Sequence, residues 1–130
     1  MKNSKALKAI LFFLGLFLIV FGAGRVFLPS EFYALNGLTL GDDVSMLNEA
    51  RGAGGVMLGS GILIMMGVFL EKMRFTSTVI AILAFLSYGI ARLIGIAIDG
   101  LPNEKIIQGI IAEFIFGITA LVAFLKYQKN

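Results

Sequence analysis

Arg25, Arg51, Arg92 and Glu113 each stand inside a stretch that is otherwise apolar. An ionised side chain in hydrocarbon costs several kcal/mol, so it persists where it is paired, hydrated or used. Guanidinium groups grip carboxylates and phosphates through two parallel hydrogen bonds. A single glutamate among them can neutralise one arginine or exchange a proton. These residue types therefore point to ion pairing or anion recognition within a membrane interior. Tyr88 and Asp99 fall at helical spacing from Arg92, Glu49 lies two residues before Arg51 and so does not face it on one helix, and these three complete the candidate ligand-binding set. Cysteine and histidine are both absent, which removes thiol chemistry, the commonest zinc ligand and the histidine-based catalytic triads. We expect no metal, cofactor or catalytic residue, and no enzyme.

The charges need elements that carry them to one place. The chain has 130 residues, 58% of them hydrophobic, and a mean hydropathy of +0.95. That composition exceeds what a water-soluble domain carries. Windows of about 20 apolar residues suffice to cross a bilayer core. They occur at Ala6–Phe27, Glu49–Leu70, Arg74–Ile98 and Lys105–Leu125. The expected fold is an all-α membrane protein: one integral domain over 1–130, built as a bundle of four transmembrane helices. The apolar run in the first window is longer than a signal-peptide core, and Arg25 sits just beyond that run, so the window reads as a retained helix.

The links carry start and stop signals. Leu28-Pro29-Ser30-Glu31 opens a short interfacial helix between the first two spans, and Asn36-Gly37 ends it. Asp43 is suited to cap the second span and Asn103 the fourth. The tight turns at Glu71–Phe75 and Asp99–Glu104 make consecutive spans antiparallel neighbours. Lys2, Lys5, Lys8, Lys72, Arg74, Lys126 and Lys129 gather on one side, and the acidic loop residues on the other. Both termini are therefore expected in the cytoplasm.

Spacing shows which way the charges face. Residues three and four apart are neighbours on a helix, and small residues mark close helix packing in membranes. Gly15, Leu18, Gly22 and Arg25 share a face; so do Arg51, Gly55 and Gly59. The same holds for Tyr88, Arg92, Gly95 and Asp99, and for Gly109, Glu113, Gly117 and Ala120. Each charge is thus expected to face protein, with Gly54, Gly55 and Gly59 packed tightly and Ile64 turned to lipid. Counted from their shared turn, Arg92 and Glu113 lie at similar depth on adjacent antiparallel helices and should pair.

The combination of Glu49, Arg51, Gly54 and Gly55 with Arg92, Gly95, Asp99, Gly100, Pro102 and Glu113 resembles a bacterial family of small four-helix membrane proteins. That family is known only as a domain of unknown function, and the chain is more distantly similar to DoxX-like membrane proteins. The resemblance implies a multi-pass protein of the bacterial inner membrane with these polar residues as shared features. It implies no activity or cofactor. The expected function is binding of a lipid or small anionic amphiphile in an outward-facing polar pocket. Two alternatives are an accessory subunit with a structural Arg–Glu network, and a small transporter or channel. Partners would be membrane lipids, a second copy or a larger membrane protein, and not nucleic acid.

Overall fold

The computed structural model describes residues 3–128. It is all-helical, and four of its helices are long and apolar enough to cross a membrane. These are α1 (Lys5–Phe27), α3 (Val44–Phe69), α4 (Arg74–Asp99) and α5 (Glu104–Tyr127); the short helix α2 (Pro29–Leu35) follows α1. Lys2 and Lys129, part of the expected charge asymmetry, lie outside the described residues.

The boundaries follow local chemistry. Ser4 caps α1 and Asp43 caps α3, each by accepting from a backbone N–H of the first turn. Asn103 does the same for α5, accepting from Ile106 N at 2.9 Å. Each supplies an acceptor to donors that a helix leaves unpaired at its start. Pro29 opens α2, and Gly37, at φ +75°, turns the chain out of it, a conformation costly for other residues.

The tightest interface joins α1 to α3. On α1 the buried positions are Leu7, Leu11, Leu14, Leu18 and Gly22; on α3 they are Ala50, Gly54, Met57, Gly61 and Ile64. Both series advance by steps of three or four, which keeps one seam facing a partner along the whole length. Glycine lets the backbones meet: a Cβ on Gly61 would lie 2.9 Å from Gly15 O, and one on Gly54 2.9 Å from Gly22 O. Helices α4 and α5 form the second close pair, with Gly89 against the Phe114 ring and Gly117 against Leu86. Contact between α1 and α5 is slight, so that seam is the loose one.

The face of α3 differs from expectation. Arg51, Gly55 and Gly59 are exposed, and a Cβ on Gly55 or Gly59 would meet nothing within 4 Å. Ile64, expected toward lipid, is fully buried. The helix carries glycines on several sides, and the 50-54-57-61-64 seam decides its rotation because it alone also places Met57 and Ile64 in the core. Arg74, expected as a loop cation, is also buried. Its Nε donates to Gly67 O at 2.9 Å and Nη1 donates to Asn3 Oδ1 at 3.3 Å. It thereby satisfies carbonyls at the end of α3 and ties in the chain ahead of α1.

The outer surface is apolar. Val20, Val56, Leu83, Ile94, Ile115 and Val122 are exposed on the flanks of the bundle. An apolar exterior suits a lipid solvent, where backbone groups are satisfied within each helix. Both ends of the described chain lie on the side of the α3–α4 turn, and α2 lies across the opposite end.

Candidate functional site

The loose α1–α5 seam leaves a cavity of about 280 Å³ beneath α2. Its walls come from every helix: Phe17, Phe21 and Arg25 of α1; Phe32, Tyr33 and Asn36 of α2; Met57 of α3; Arg92 of α4; Lys105, Gly109 and Glu113 of α5.

Arg25 lies in the last turn of α1, where a cation meets the negative end of the helix dipole. It follows Phe17 and Phe21 at four-residue steps, so the two rings, stacked 4.0 Å apart, and the guanidinium form one stripe. Its Nη1 donates to Tyr88 Oη at 2.8 Å. The group is caged by aromatic rings, with centroids of Phe32, Tyr33 and Tyr88 at 5.3, 5.6 and 5.7 Å. Such contacts stabilise a cation where water is scarce.

Arg92 is one helical turn beyond Tyr88 and lies over the other side of this constellation, 5.4 Å from the same ring. Arg92 Nε is 3.3 Å from Glu113 Oε1, and both side chains are largely buried. The pair is at matched depth, as the spacing of the two helices from their turn predicts. Tyr88 therefore stands between two guanidiniums, hydrogen-bonded to one and packed against both. Toward the side of the termini the cavity ends on an aromatic floor, where Phe116 meets Phe17 at 5.0 Å and Phe85 at 5.5 Å edge-on.

Helix α2 roofs the cavity. Phe32 packs on Phe21 and closes over Gly24. Two groups at the start of α5 reach back to it: Lys105 Nζ donates to Leu35 O, and Asn103 Nδ2 to Asn36 O, each at 3.0 Å.

Of the seven candidates from sequence, Arg25, Tyr88, Arg92 and Glu113 come together here. The other three do not. Arg51 is exposed and donates to Val26 O at the end of α1, so it serves as a helix cap. Glu49 is exposed one turn from the start of α3, outside the cavity wall. Asp99 lies in a separate depression between α4 and α5, on the far side of Arg92. The rotation of α3 accounts for Glu49 and Arg51: its packed seam runs through Ala50 and Gly54, which turns both charges outward. Lys105, the first residue of the fourth expected span, was not among the candidates; its place in the wall depends on α2 folding back over α5. The Phe17-Phe21-Arg25 stripe was a legible signal for the aromatic half of the site.

A model of a family described as "Domain of unknown function (DUF4345)" matches residues 6–124, nearly the whole chain. The chain belongs to that family. Comparison with curated proteins and with solved structures gave no match. Membership of DUF4345 and the four apolar helices identify a multi-pass membrane protein from a family of unknown function. The matched segment contains Arg25, Arg92 and Glu113, which line the cavity, and Tyr88, which packs against both arginines.

Proposed function

We propose that this DUF4345 protein binds an amphiphile with an anionic head, held beneath α2 between α1 and α5. The observation that carries the reading is the charge of the cavity. Arg25, Arg92 and Lys105 face it, and Glu113 is the one carboxylate in its wall. Among the described residues the one ion pair is Arg92–Glu113, so Arg25 and Lys105 retain charge for a ligand. The first turns of α5 also line the cavity, and a helix N-terminus favours negative charge. Aromatic walls beside a few convergent polar groups suit an amphiphile. The volume is near the lower end for ligand pockets, roughly 300 Å³ upward, which suits a headgroup with its tails left in the bilayer. The lysine distribution supports cytoplasmic termini and a cavity near the outer face of a bacterial inner membrane.

A purely structural network is the second reading, favoured by the Arg25–Tyr88 and Arg92–Glu113 contacts, which tie α1, α4 and α5 together. Passage through the bundle has less support, because the aromatic floor separates the cavity from the opposite end. The test is lipid retention. Protein is reconstituted in nanodiscs of mixed anionic and zwitterionic phospholipids, released into detergent and weighed by native mass spectrometry. Anionic lipid should be retained preferentially, and Lys105→Gln, at an exposed position, should weaken retention with the fold intact. Equal retention of both lipid types by the unaltered protein would leave only the structural network.

A further inference from the structure

Two buried side-chain atoms among the described residues have no hydrogen-bond partner: Arg25 Nε, a donor, and Glu113 Oε1, an acceptor. Both residues line the same cavity. Arg92 Nε approaches Glu113 Oε1 to 3.3 Å, but the approach falls short of hydrogen-bond geometry, so Oε1 still lacks a donor. Buried polar atoms are nearly always paired, and leaving one unpaired costs about 1–3 kcal/mol. An orphan donor and an orphan acceptor in one cavity ask for a ligand that answers both.

A bare anion answers only Arg25. Facing Glu113 it would present a second acceptor to an acceptor. A head bearing an ammonium could donate to Glu113, but it would bring a fourth positive charge to the cavity, beside the Arg92 guanidinium. The cavity already holds three cations against one carboxylate, so a charged donor is disfavoured. A hydroxyl donates without adding charge.

Resting on the anion-binding reading above, we infer that the ligand is an anionic phospholipid whose head carries a free hydroxyl, as a glycerol phosphodiester does. Its phosphate oxygens accept from Arg25 and Lys105, and its hydroxyl donates to Glu113. The aromatic walls and the open α1–α5 seam point to a lipid held by its head rather than to a soluble polyol phosphate.

The experiment compares two lipids of equal charge. Phosphatidylglycerol has the hydroxyls; phosphatidylmethanol, with the same phosphodiester charge, has none. Each competes with phosphatidylcholine in nanodiscs, and native mass spectrometry reads the lipid retained. We expect phosphatidylglycerol to be retained about tenfold better than phosphatidylmethanol, the effect of one hydrogen bond to a charged group. Glu113→Gln should shrink that ratio to about twofold, since a neutral amide oxygen accepts more weakly. Arg25→Lys, which keeps the charge and removes Nε, should lower retention of both lipids alike and leave their ratio unchanged; this second variant carries the test if Glu113→Gln does not fold. Equal retention of the two anionic lipids, both above phosphatidylcholine, would overturn the hydroxyl while sparing the anion-binding reading. Retention of neither above phosphatidylcholine would overturn that reading itself. A ratio unchanged in Glu113→Gln would overturn the role given to Glu113. Displacement of the lipid by millimolar glycerol 3-phosphate would overturn the lipid as the source of the head; persistence of the lipid supports it.

Discussion

Glu113 and Arg92 show how a membrane interior raises the stakes of a single contact. Neither side chain has water freely available, and each is the other's nearest opposite charge at 3.3 Å. Removing one leaves the other buried without compensation, which destabilises more than removing both. A double-mutant cycle with Arg92→Gln and Glu113→Gln, read as unfolding stability in detergent micelles, should therefore give a coupling of roughly 1–3 kcal/mol. Additive losses would show that the two charges are satisfied separately. This pair was legible in the sequence because it needs only short-range arithmetic. Two helices joined by the Asp99–Glu104 turn must be antiparallel, and similar distances from the turn mean similar depth. Lys105 was not legible by that route. Its acceptor, Leu35 O, is 70 residues away, and no local pattern shows that α2 folds back to meet it.

At the scale of the helix, spacing located elements better than it oriented them. Asp43 and Asn103 were readable as caps because capping is local chemistry, decided by a side-chain oxygen within three residues of a free N–H. The rotation of α3 was not readable from small residues alone. Gly55 and Gly59 form as regular a series as Gly54 and Gly61, and only the apolar bulk of Met57 and Ile64 separates them. The two series make opposite predictions. A Cβ on Gly54 would lie 2.5 Å from Arg25 Cβ and 2.9 Å from Gly22 O, whereas one on Gly55 meets nothing within 4 Å. Gly54→Ala should push α1 and α3 apart and cost about 1–3 kcal/mol. Gly55→Ala should leave stability unchanged or slightly raised, since alanine is the better helix former. Thermal unfolding in one detergent compares them directly, and similar midpoints would mean that α3 turns a different face to α1.

The whole molecule is two close helix pairs, α1 with α3 and α4 with α5, fastened at both ends. At the end near the termini the fastener is buried: Arg74 holds the last carbonyls of α3 and reaches Asn3. At the other end it is α2, and the hold is lighter. A helix of seven residues cannot persist in isolation, so α2 depends on what it touches. Phe32 seals against Phe21, while Lys105 and Asn103 pin its C-terminal end from α5 by exposed hydrogen bonds. Such bonds contribute about 0.5–1.5 kcal/mol each, enough to hold a roof yet little beside the core. Lys105→Ala with Asn103→Ala should therefore speed amide exchange across residues 29–38 severalfold. Exchange in the α1–α3 seam should be unaltered and the melting midpoint barely lowered, because the Leu7-to-Leu18 and Ala50-to-Ile64 packing is untouched. Deuterium uptake by mass spectrometry separates the two regions. If α2 and the seam loosened together, the roof would be part of the cooperative core, and access to the cavity would have to run between α1 and α5 rather than beneath α2.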